Sequence, residues 1–136
     1  MQKHLTDEIQ KFSIRMDQDI SAANGGMFLI QGNFHCSTNK IQNAAKDFAY
    51  AIELLIKGQD EQNAQRALNN LLEECFPKLI NISIEDFTDL NESIQVALKA
   101  LETVNVNGRY SDYINKIKRG LEQIKNKKIK EEISAL

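Results

Sequence analysis

Residues 41–75 read IQNAAKDFAYAIELLIKGQDEQNAQRALNNLLEEC, and this stretch decides the fold. Ile41, Ala45, Phe48, Ile52 and Leu55 recur every three or four positions, and so do Ala64, Leu68, Leu71 and Cys75. That spacing places apolar side chains on one side of a helix and on no coherent side of a strand. Only Gly58-Gln59-Asp60 separates the two runs, a glycine to stop one helix and an aspartate to cap the next. So short a connection predicts an antiparallel hairpin of two helices, over about 39–57 and 61–76. Pro77 then ends or kinks the second helix, because proline and the residue before it resist helical continuation.

The same period continues on both sides. Leu5, Ile9, Phe12, Met16 and Ile20 predict a helix over about 3–22. Phe87, Leu90, Ile94, Ala97, Leu98 and Leu101 predict one over about 84–104, with a break near Thr88, and Tyr110, Ile114, Ile117, Leu121 and Ile124 predict one over about 111–132. Ser37 and Thr38 read as caps of the second helix, Ser83 with Asp86 as a capping box, and Ser111 as the cap of the last helix. Asn24-Gly25-Gly26 and Asn105-Val106-Asn107-Gly108 read as helix stops. Gly120, inside the last helix, costs about 1 kcal/mol relative to alanine and so marks a close helix contact or a weak point. The expectation is an all-α, single-domain bundle spanning residues 1–136. It has about five mainly antiparallel helices, with a structured loop or short hairpin between helices 1 and 2. No stretch repeats another at a fixed period, which argues against a solenoid.

Composition narrows the function classes. Apolar residues make up 42% of the 136 and there is no tryptophan, so one core of mostly Leu, Ile and Ala is expected. A net charge of -2 supplies no general attraction to nucleic acid or membrane. Apolar runs such as Met27 to Ile30 are too short to span a bilayer. Acidic and polar residues near the start break any signal-peptide pattern, so a cytoplasmic location is expected. The frequent Asn, Ile and Lys suggest a bacterial or phage origin.

Reactive residues are few. His4 and His35 lack the helical partners of a metal site, and the Glu-x-x-His pattern of di-iron bundles is absent, so neither metal nor cofactor is expected. Cys75 lies on an apolar stripe and reads as a small hydrophobe, whereas Cys36, next to His35, is the only opening for a Cys-His enzyme. Lys40 opens the second helix after Ser37-Thr38-Asn39, and the last helix is basic. Lys40, Lys116 and Arg119 therefore give the alternative expectation, a self-associating bundle that binds a small anion or nucleic acid. Glu122, Glu131 and Glu132 interrupt the basic run and argue against nucleic acid.

The leading candidate is the apolar segment after the first helix. A bundle needs only short turns, yet residues 24–38 carry Met27, Phe28, Leu29, Ile30 and Phe34. Exposed, these five side chains are a partner-binding patch; buried, they cap the core. The resulting expectation is a non-enzymatic interaction module, an adaptor, inhibitor or immunity-type protein. It would bind another protein or itself, with no membrane contact.

Overall fold

The computed structural model describes residues 2–136, with side chains from His4 onward. It is all-α, with α1 Gln2–Ser37, α2 Ile41–Lys57, α3 Glu61–Asn70, α4 Ile84–Thr103 and α5 Ser111–Ala135. Strands are absent among the described residues. Its core joins Phe48, Ile52 and Leu55 of α2 to Leu68 of α3, Leu90, Ile94, Leu98 and Leu101 of α4, and Ile117 of α5. These are the residues whose spacing defined the stripes of helices two to five.

Side-chain contacts give the directions. Arg109 pairs with Glu61, Tyr113 Oη donates to Asn69 Oδ1 at 3.2 Å, and Phe76 sits on Gly120, so α5 climbs alongside α3 in parallel. The tight Gly58–Asp60 connection makes α2 and α3 antiparallel, and Asp60 caps α3 by accepting from Asn63 N–H at 3.3 Å. Ser83 caps α4 by accepting from Asp86 N–H at 3.2 Å, and Gly120 proves to be a close helix contact.

Several expectations are corrected. α1 does not stop at residue 22; it runs unbroken through Asn24-Gly25-Gly26 and Gln31-Gly32-Asn33 to Ser37, so there is no loop or hairpin before α2. The glycines answer to packing rather than to chain reversal. A Cβ on Gly25 would lie 2.7 Å from Leu55 Cγ, and one on Gly32 would lie 2.5 Å from Phe48 Cε1. Gly58 meets the α1 backbone in the same way, where a Cβ would lie 2.6 Å from the Ala22 nitrogen. Glycine lets the two antiparallel helices approach closely, and the burial gained outweighs its helix cost of about 1 kcal/mol per residue.

Ser37 and Thr38 end α1 instead of opening α2, their hydroxyls donating to the Phe34 and His35 carbonyls, and Lys40 precedes α2 without a side-chain cap. Asn39 makes the turn at φ 61°. Tyr110, not Ser111, occupies the cap position of α5, and its N–H donates to Asn105 Oδ1 at 2.6 Å. α4 has no break at Thr88, whose hydroxyl donates to the Ile84 carbonyl within the helix. α3 loosens into a π-helical turn over Leu71–Cys75, where Phe76 N–H reaches back to the Leu71 carbonyl, then tightens to a 3-10 turn over Phe76–Lys78. The extra residue per turn brings Phe76 to Gly120 of α5 before Pro77 ends the helix.

The largest correction concerns the first stripe. Leu5, Ile9, Phe12, Met16 and Ile20 are exposed and take no part in the core. α2 has 17 residues, about 25 Å of helix, while α1 has 36, about 54 Å. Gly58, just past the end of α2, lies against Ala22, so the bundle supports α1 only from about residue 21 onward. Every described residue from 4 to 17 is exposed.

Candidate interaction surface

α1 has two opposite faces. One is small and meets α2: Ser21 donates its hydroxyl to the Leu54 carbonyl at 2.7 Å, followed by Gly25, Leu29, Gly32 and Cys36. At 100° per residue these positions cluster on one side of the helix. On the far side lie Leu5, Ile9, Phe12, Met16, Ile20, Ala23, Met27, Ile30 and Phe34, one residue per turn along the helix. Their mean spacing is about 3.6 residues, so the stripe runs straight instead of winding around the helix as a strict heptad would. The eight large members are exposed by between 47% (Met16) and 71% (Ile30). Together they present on the order of 1,000 Å² of side chain, beyond the largest apolar patch of an ordinary monomer.

Of the five residues proposed from sequence, Met27, Ile30 and Phe34 are on this surface. Leu29 is in the core, and Phe28 is half-buried with its ring 5.4 Å from that of Tyr50. Because the segment is helical, neighbours in sequence point to different sides, and only the one-per-turn members stay outside. The surface also takes in Leu5, Ile9, Phe12, Met16 and Ile20, whose spacing predicts a helix and no binding role. Their pattern was visible, but not which side of the helix the rest of the chain would cover.

Beside the stripe, α1 and α3 border a groove of about 800 Å³. Ala23, Met27, Ile30 and Asn33 line one wall; Asn63, Arg66, Asn69 and Asn70 line the other. Asn70 Nδ2 donates to Asn33 Oδ1 at 2.9 Å across it. Arg66 forms no ion pair among the described residues; its guanidinium reaches only Asn63 Oδ1, at 3.4 Å.

The proposed anion-binding residues are not brought together. Lys116 and Arg119 line a cleft of about 540 Å³ over Leu72, Phe76 and Ile80, with Lys127 also on its wall. Lys40 lies elsewhere, in a shallow recess with Asn39, Gln42 and Lys78.

The structure reveals two pairings that sequence spacing hides. His35 Nδ1 lies 2.5 Å from Oδ2 of Asp47, a buried carboxylate on α2, so α1 and α2 are clasped at the closed end of their hairpin. The Cys36 thiol lies beside Cys75, whose ionisation is pushed up mainly by burial and further by that neighbour. His35 therefore has an orienting carboxylate, but no hydrogen bond links it to a thiol among the described residues. No cluster of three or more metal-ligating side chains occurs among the described residues, and none of their helices is long and apolar enough to cross a membrane. No protein family, curated protein or solved structure matches the chain.

Proposed function

We propose that this chain is a non-enzymatic protein-interaction module that works through the outer face of α1. The observation behind this is the straight apolar stripe from Leu5 to Phe34, opposite the face that packs on the bundle. A helix exposed throughout residues 4–17 is marginal in water on its own. A surface that covers its apolar side would supply the missing packing, and large apolar side chains at one per turn are how helices dock on proteins.

The test is capture from host cell lysate with wild-type protein and with Phe12→Asp/Ile30→Asp as bait. Both sites are exposed, so the variant should keep the melting midpoint of the bundle core and lose no more helix signal by circular dichroism than residues 5–20 contribute. Proteins retained by the wild type, further copies of the chain included, should be lost from the variant. An identical retained set from both baits would refute the reading.

A second reading rests on the α3–α5 cleft, where Lys116 and Arg119 stand over an apolar floor and suit an anionic amphiphile. Calorimetric titration with dodecanoate tests it. Equal heats from wild type and Lys116→Gln/Arg119→Gln would remove it.

A further inference from the structure

Resting on the interaction reading above, we infer that the occupant of the α1 face is a second copy of this chain, with the two α1 helices paired antiparallel about a two-fold axis near residues 19 and 20.

The stripe is nearly symmetric about its own middle. Positions 5 and 34, 9 and 30, 12 and 27, and 16 and 23 are equidistant from the midpoint between 19 and 20. An antiparallel overlay sets Leu5 on Phe34 of the second copy, Ile9 on Ile30, Phe12 on Met27 and Met16 on Ala23. In three of the four layers a larger residue meets a smaller or more adaptable one, Ile9 and Ile30 being equal, and Phe12 meets a thioether, a favourable contact for a ring. A parallel overlay would set each residue on itself, pairing Phe12 with Phe12 while leaving a gap at Ala23.

Support for the helix points the same way. Residues 21–37 of α1 are backed by α2, whereas residues 4–17 are exposed and lie beyond the reach of α2. Antiparallel pairing lays the unbraced half of each copy on the braced half of the other. Parallel pairing would join two unbraced halves.

The area is sufficient. On the order of 1,000 Å² of apolar side chain is available per copy, against about 800 Å² per partner in a standard interface. The isologous arrangement closes after two copies, leaving no open end for a filament.

Charge agrees with the register. α3 runs parallel to α1 with Asn70 beside Asn33, which places Arg66 about one turn earlier, near Leu29. The overlay brings residue 10 of the second copy opposite residue 29, with Glu8 on the edge that faces α3. Arg66, without an ion pair of its own among the described residues, is there to receive it in place of the exposed Lys11, whose ammonium lies 3.9 Å from Glu8 within α1. A membrane surface fits less well. Lys3, Lys11 and Arg15 are outnumbered on α1 by Asp7, Glu8, Asp17 and Asp19, whereas helices that lie on anionic lipid carry an excess of cations.

Light scattering coupled to size exclusion tests the pairing on the full chain. Wild type should run as a dimer at about 50 µM, and Phe12→Asp/Ile30→Asp should weaken association by at least about thirtyfold. Arg66→Glu should weaken it less, and Glu8→Arg combined with Arg66→Glu should recover part of the loss. Register is read by oxidative cross-linking in a Cys36→Ser/Cys75→Ala background. Ile20→Cys should link to itself, Leu5→Cys should not, and a mixture of Leu5→Cys with Phe34→Cys should form the mixed dimer. A wild type that stays monomeric at about 100 µM, a dimer indifferent to the Phe12/Ile30 charges, or self-linking of Leu5→Cys would each overturn the pairing. If the wild type is monomeric but its lysate partner is still lost from the charged variant, self-pairing falls and the interaction reading stands.

Discussion

Alanine at Gly26 and at Gly32 should change stability in opposite directions. Both glycines lie inside α1. Nothing lies within 4 Å of a Cβ built on Gly26, so Gly26→Ala should keep the full helix-propensity gain of about 0.5–1 kcal/mol. At Gly32 the same methyl would sit 2.5 Å from Cε1 and 2.8 Å from Cδ1 of Phe48. That ring is fully buried, and a well-packed core has no void into which it can turn. Overpacking costs about 1–3 kcal/mol, so after the propensity gain Gly32→Ala should lose about 0.5–2 kcal/mol. The two variants should differ by about 1–3 kcal/mol, the overpacking cost itself, or several degrees in Tm for a chain of this size. Urea melts at low micromolar concentration, with a common m-value, measure the difference. If residues 24–34 formed a turn instead of a helix, Gly26→Ala would bring no gain. A destabilised Gly26→Ala, or a Gly32→Ala as stable as wild type, would refute a continuous α1 packed closely on α2.

Asp47→Ala should cost about 2–3 kcal/mol in the same melts, since it removes a charge-assisted contact from His35 at the closed end of the α1–α2 hairpin; an unchanged midpoint would mean that the clasp does not hold. Burial raises the Cys75 ionisation above its ordinary 9.0, so the folded chain keeps a proton that the unfolded chain releases in alkali. Its contribution is complete below about pH 9 and declines as pH rises above it, so wild type should lose more stability between pH 8 and pH 10 than Cys75→Ala does. Equal losses would remove the thiol from the account.

Helices two to five were readable because each apolar stripe has one destination. Leu68, Leu71, Ile94 and Leu101 repeat on a helical period and all four are fully buried. Asp60 and Ser83 cap as their local sequence implies, because capping involves residues only three positions apart. The full length of α1 was not legible because glycine has two meanings. Asn24-Gly25-Gly26 is chemically a good helix stop, but Gly25 is required where Leu55 presses on the helix, and Leu55 is thirty residues away. Separation along the chain also hides the partners of Asp47 and Cys75, His35 and Cys36, which meet only once α1 and the later helices pack. The proposed interaction surface was half visible. Met27, Ile30 and Phe34 stood out as excess apolar residues, whereas Leu5 to Ile20 looked like any other core stripe until the end of α2 left them uncovered.

Hydrogen exchange along α1 tests the central claim, that its outer face is a binding surface which a second copy covers. The account predicts that amides of residues 5–20 gain protection as wild-type concentration rises through the association range, while in Phe12→Asp/Ile30→Asp they exchange nearly as fast as in a free peptide. Residues 25–36 should stay protected in both, held by α2. Protection over 5–20 that does not change with concentration and is the same in the charged variant would contradict it.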